Sequence, residues 1–82
     1  MKGQIAKKQI VIIKSGWVVI GNVTNDGVTT VIEDANVIRK WGTEYGLGQI
    51  ALQGPTKETI LDYAGRVTCL NYAVLFYIDC KV

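Results

Sequence analysis

Apolar positions along this chain come in short, largely β-branched runs, broken at intervals by Gly, Asn, Asp and Ser. Such spacing predicts strands and tight turns rather than long helices. Ile10 to Ile13 opens the first strand, Ser15-Gly16 permits a bend, and Trp17 to Val23 forms the second. Asn25-Asp26-Gly27 is the clearest local signal, because Asp-Gly accepts the left-handed backbone of a hairpin turn. Val28 to Glu33 returns as a third strand. Glu33-Asp34-Ala35-Asn36 then reads as a turn leading to a short segment, Val37 to Trp41.

The pattern changes in WGTEYGLGQIALQGP, Trp41 to Pro55, which holds four of the nine glycines. Leu47, Ile50 and Ala51 have i, i+3, i+4 spacing and predict a helix of barely two turns, stopped by Gly54-Pro55. Too short to persist alone in water, it must pack on the sheet through Leu47 and Ile50. Thr59 to Asp62 reads as extended, with a helical turn over Lys57 to Tyr63 as the alternative. Ala64-Gly65 reads as a break, and Arg66 to Leu70 and Tyr72 to Asp79 restore the strand pattern. In the last stretch, alternation sets Tyr72, Val74, Phe76 and Ile78 on one side and Ala73, Leu75 and Tyr77 on the other. Both sides are apolar. Either this strand is central under a covering helix or its second face meets another subunit. The fold class implied is mainly β: a small antiparallel sheet curled into a partial barrel, SH3-like in size, with one short helix, forming a single domain over residues 1–82. Barrel closure would remove unpaired edges, with Gly16, Gly21 and Gly65 at the sharp bends.

At 82 residues, apolar burial and the entropy of ordering the chain nearly cancel, so pairing with a second subunit would add needed stability. Charge adds one asymmetry. Lys2, Lys7, Lys8 and Lys14 precede Ser15 with no acid among them, while the rest of the chain has five basic and seven acidic residues. This is a basic edge and not a basic domain, so nucleic acid is the less favoured partner. The N-terminal apolar core is too short and too interrupted by charge for a signal peptide, and no apolar run has the length of a membrane-spanning helix. Cys69 and Cys80 lack metal-ligand spacing and read as reduced thiols in an intracellular protein.

Candidate chemistry is sparse. There is no histidine, no pair of acids at a catalytic separation is set by the sequence, and the cysteines sit in apolar strands that disfavour the thiolate. We therefore expect no enzyme, no metal and no cofactor. Gly46 and Gly48 stand where the short helix begins, a place where backbone N–H groups can cradle phosphate, but neither GxxxxGK[ST] nor a full GxGxxG is present. Arg39 and Lys40 add positive charge just upstream. Trp41 and Tyr45 offer rings for stacking on a base. The candidate ligand set is thus Arg39, Lys40, Trp41, Tyr45, Gly46 and Gly48, against a purely structural turn and a core tryptophan. The candidate interface is Tyr72, Val74, Leu75, Phe76 and Tyr77.

The segment AxxIRKW followed by GLGQIALQGP, with GWVVIGNVTNDGVTTVIEDA before it, resembles small uncharacterised β-rich accessory proteins of tailed bacteriophages and prophages. The resemblance spans Trp17 to Leu61 and its motifs are structural punctuation. It implies a compact accessory protein in the cytoplasm of an infected bacterium, and it supplies no catalytic residues. The function expected is non-enzymatic binding as a homo-oligomer, to a host protein or to a small phosphorylated ligand such as a defence nucleotide. The alternative is a nucleic-acid-binding accessory protein using the N-terminal lysines with Arg39 and Lys40.

Overall fold

A computed structural model of the chain describes residues 6–81 and shows five strands and one short helix. In chain order these are β1 (Lys7–Ile13), β2 (Val18–Asn25), β3 (Thr29–Lys40), α1 (Leu47–Gln53), β4 (Ile60–Leu70) and β5 (Val74–Asp79), with a 3-10 turn over Asn71–Ala73. All ladders are antiparallel and the strand order is β4-β3-β2-β1-β5. The helix forms where the spacing places it, and Leu47, Ile50 and Ala51 are its buried residues. Its last turn is closed by the Gly54 N–H donating to the Ile50 carbonyl at 2.8 Å.

Two expected breaks are absorbed into continuous strands. The segment 33–36 does not turn the chain. It is a bulge inside the twelve-residue β3, where the register against β2 shifts between Ile20 and Asn22, with Asp34 at φ 49°. Ala64-Gly65 likewise lies within β4, opposite Ala35, where the β3–β4 register shifts. An extra residue bends a strand without ending its ladder, and flanking pairs such as Ile32↔Val67 and Ile38↔Leu61 hold both sides together.

The sheet has an apolar core on each face. Ile10, Val18, Ile20 and Ile38 pack with Leu47, Ile50 and Ala51 of the helix. The neighbours of Ile10 and Val18 in sequence, Val11 and Val19, point the other way and join Val23, Ile32 and Ala35 in a second cluster. No helix contributes to this second cluster, yet Ile32 has no exposed surface. Val67 of β4 and Val74 of β5, from the two edges of the sheet, both pack against it. The sheet bends around this face.

It does not close. β4 and β5 are the edges of the sheet and no ladder joins them, so the expected partial barrel is corrected to an open, bent sheet. The edges come together at one end only. In a flat sheet they would lie about 19 Å apart, whereas the link from Leu70 through the 3-10 turn to Val74 spans at most about 14 Å. Bulges supply local bending, but closure would need a run of backbone pairs between β4 and β5 that their registers do not provide.

The bend is set by one tight approach. A Cβ at Gly21 would stand 2.6 Å from Ile32 Cγ2 and 2.8 Å from the Glu33 carbonyl oxygen. Gly48, on the helix, has nothing within 4 Å of its corresponding position. Gly21→Ala is expected to destabilise by about 2–3 kcal/mol through overpacking, and Gly48→Ala to stabilise by about 0.5–1 kcal/mol by removing a helix-interior glycine. Urea unfolding of both variants checks the opposite signs.

Candidate functional site

The loop after β3 is built by threonines. Thr59 Oγ1 donates to the Trp41 carbonyl at 2.6 Å and Thr56 Oγ1 to the Gly42 carbonyl at 2.7 Å, so the segments on either side of α1 are tied together. Gly42 sits at φ 63°, and a Cβ there would lie 2.4 Å from the Glu58 carbonyl carbon. Only glycine fits so close to that backbone.

This construction decides what becomes of the candidate ligand residues. Backbone N–H groups ahead of the helix are already taken: Gly46 donates to Thr43 Oγ1 at 2.9 Å, and Glu44 and Tyr45 both donate to Gln49 Oε1, at 3.2 and 3.1 Å. The Trp41 ring edge lies beside Gly46, 3.7 Å from where a Cβ would stand, so those two residues do meet. Tyr45 is 81% exposed, Lys40 ends β3 in solvent, and Gly48 lies inside the helix. Arg39 is committed elsewhere. Its Nε donates to Asp62 Oδ2 at 2.7 Å and its Nη2 to Asp62 Oδ1 at 3.4 Å, and this carboxylate holds the guanidinium pKa above its ordinary value. Arg39, Asp62 and Trp17 are among the residues that line a shallow cleft of about 380 Å³.

The basic residues are dispersed or neutralised. Lys7 lies 3.6 Å from Asp79, Arg66 lies 3.4 Å from Glu33, and Arg39 is held by Asp62, all at exposed positions. Lys8 borders a separate hollow with Asn22, Asp34 and Asn36, and Lys14 stands over the Tyr72 ring at 5.5 Å. Lys2 lies outside the described residues. Both thiols are free, and burial raises the pKa of each above its ordinary value. Among the described residues no group of acids and cysteines has metal-binding geometry, and no helix is long and apolar enough to cross a membrane.

A polar cluster that the sequence pattern conceals lies at the end of the β2–β3 hairpin, beside the 3-10 turn. Thr30, with no exposed surface, donates to Asn71 Oδ1 at 2.7 Å. Its only proton is then used, so in the 2.7 Å contact with Tyr77 the phenol is the donor. Asn25 and Asn71 exchange reciprocal amide bonds of 2.8 and 3.0 Å. Residues of β2, β3, the 3-10 turn and β5 are joined across the bent face by this one cluster. Its signal in the sequence is faint: a threonine where alternation wants an apolar residue.

The candidate interface residues fall at this same end. Val74 is half-buried against the second core and Tyr77 is held through its hydroxyl. Tyr72, Leu75 and Phe76 are exposed, the last two at 58% and 53%. Val28, Leu70 and Tyr72 line a further shallow, largely apolar hollow of about 380 Å³.

Thr30→Val is expected to cost about 1–3 kcal/mol by leaving buried partners unmatched, and Tyr77→Phe about 0.5–1.5 kcal/mol, since water can reach the vacated position. Chemical unfolding of the two variants gives the order. The hairpin has its own acid signature. Asp26 Oδ1 accepts from the Val28 and Thr29 N–H groups at 2.9 and 2.7 Å, and these bonds hold its carboxyl below the usual range. The folded value lies below the unfolded one. The stabilisation is therefore complete above about pH 4 and is lost as the pH falls through the folded value. Asp26→Ala is expected to lower stability at pH 7 and to flatten its decline in acid, read from thermal unfolding between pH 7 and pH 2.

No family model, curated protein or solved structure matches the chain. The resemblance to phage accessory proteins finds no counterpart in these comparisons, and the viral, host-binding, anti-defence and nucleotide-sequestering roles that it implied are left without support.

Proposed function

We propose that the protein is a non-catalytic binding protein that works as a homo-oligomer, with the apolar margin of β5 as its assembly surface. The observation that carries this reading is the position of β5. It is an edge strand whose Leu75 and Phe76 are more than half exposed, in a chain too short to waste apolar surface. Scattered apolar residues on a surface are ordinary, but a run of them on an unpaired sheet edge invites association.

The fate of the ionisable groups favours binding over turnover. Asp26 holds a turn, Asp62 holds Arg39, Glu33 faces Arg66, and Asp79 accepts from Gln9 and faces Lys7. The bond from Gln9, with Lys7 nearby, keeps the Asp79 carboxyl below the usual range, which suits a fixed anion and not a proton donor.

Sedimentation velocity over a concentration series is the direct test. The native chain is expected to shift to a larger species as concentration rises, and Phe76→Glu to stay monomeric with its melting temperature within a few degrees of native. A native chain that remains monomeric at high concentration overturns the reading.

A further inference from the structure

We infer that the hollow beside the C-terminal end of α1 is a binding site for the ring of a neutral sugar, held through its hydroxyl groups by Lys8, Asn22, Asp34 and Asn36. The inference goes beyond the assembly reading and does not depend on it.

The hollow holds about 250 Å³ and is lined by two kinds of residue. Ile20, Pro55 and Leu61 are its apolar part. Ile20 belongs to the cluster under the helix and Leu61 packs against it, while Pro55 follows the helix cap at Gly54. The hollow therefore begins where the seven-residue helix stops covering its face of the sheet. The polar part comes from three adjacent strands. Lys8 of β1 pairs with Asn22 of β2, and Asn36 of β3 pairs with Ile20 of β2.

Asp34 reaches this hollow through the bulge. The register of β3 shifts against β2 between Ile20 and Asn22, and against β4 on either side of Ala35. Within the bulge, Asp34 at φ 49° is the one non-glycine residue with positive φ among the described residues. Bulges re-aim side chains, and this one puts Asp34 on the same hollow as the two asparagines. The Tyr63 hydroxyl donates to Asp34 Oδ1 at a long 3.4 Å, and Oδ2 is left unengaged.

Hydrogen-bond accounting separates these residues from other polar groups of the sheet and loops. Asn25 is bonded to Asn71, Gln9 to Asp79, Gln49 to the backbone ahead of α1, and Arg39 to Asp62. Among the described residues, the side chains of Lys8, Asn22 and Asn36 make no hydrogen bond and no ion pair. Asn36 is only half-exposed, so its amide takes its partners from whatever fills the hollow.

The set of donors and acceptors selects the ligand. One cation and one anion balance, so charge favours neither a phosphate nor a metal ion. The ammonium only donates, the carboxylate only accepts, and each amide does both. Groups that do both at neighbouring positions on one ring match this set, and vicinal hydroxyls are such groups. The C–H face of the ring then lies against Ile20, Pro55 and Leu61, so apolar and polar walls are both used. The backbones that carry Lys8 and Asp34 are two strand spacings apart, about 10 Å, which accommodates one six-membered ring and not two.

Titration of isotope-labelled native protein with the methyl glycosides of glucose, galactose and mannose is the test, read at the side-chain amide signals of Asn22 and Asn36. At least one glycoside is expected to shift both signals saturably, with a Kd on the order of 1 mM. Asn36→Asp removes the amide donors without changing the size of the side chain, and is expected to raise that Kd about tenfold, the worth of one or two hydrogen bonds. No saturable shift with any glycoside overturns the inference. Saturation by inorganic phosphate or by glycine, with the glycosides silent, overturns the sugar assignment. Sugar binding that leaves both amide signals in place, or that a folded Asn36→Asp does not weaken, overturns the location. The native titration decides by itself if Asn36→Asp fails to fold.

Discussion

The close approach of Gly21 to Ile32 and the backbone of Glu33 is the constraint on which the remaining architecture rests. It lies where the β2–β3 register shifts, and the same line continues through Ala35 to Gly65 on β4. A flat sheet of five strands would leave its helix-free face in water. Bent along this line, the sheet buries Val11, Val19 and Ile32 with help from Val67 and Val74 on its own edges. One short helix then suffices to cover the other face.

Bending brings β4 and β5 to a common end without pairing them, and at that end a polar cluster around the buried Thr30 ties β5 and the 3-10 turn to β2 and β3. Asn25 and Thr30 from the β2–β3 hairpin meet Asn71 and Tyr77 from more than forty residues further along the chain, and the four bond to one another. A polar group this deeply buried is stabilising only when fully bonded, so the cluster also fixes how the strands meet. The outer margin of β5 is what this arrangement leaves over. It is held in place from within by Tyr77 and Val74, and among the described residues no strand lies beyond it.

Several donors of the candidate ligand site are engaged within the chain for the same kind of reason. Glycines before a helix suggest free N–H groups, but Thr43 and Gln49 satisfy them locally, and Arg39 finds Asp62 on the neighbouring strand. The identities of Thr43 and Gln49 were visible from the start. That their oxygens would turn back onto residues 44–46 depends on side-chain geometry that spacing does not express.

Local chemistry in the sequence determined the strands, the Asp26-Gly27 hairpin, the extent of α1 from its Leu47–Ile50–Ala51 spacing, and the mainly β class. These depend on residues within a few positions of one another, which is where turn preference and hydrophobic period act. Tertiary structure alone decided that residues 33–36 and 64–65 are bulges and not breaks. It also decided that the sheet stays open, that β5 lies at an edge, and that Thr30 is buried in a polar cluster. Each of these turns on which strand lies beside which and in what register, and register is set by contacts between segments tens of residues apart.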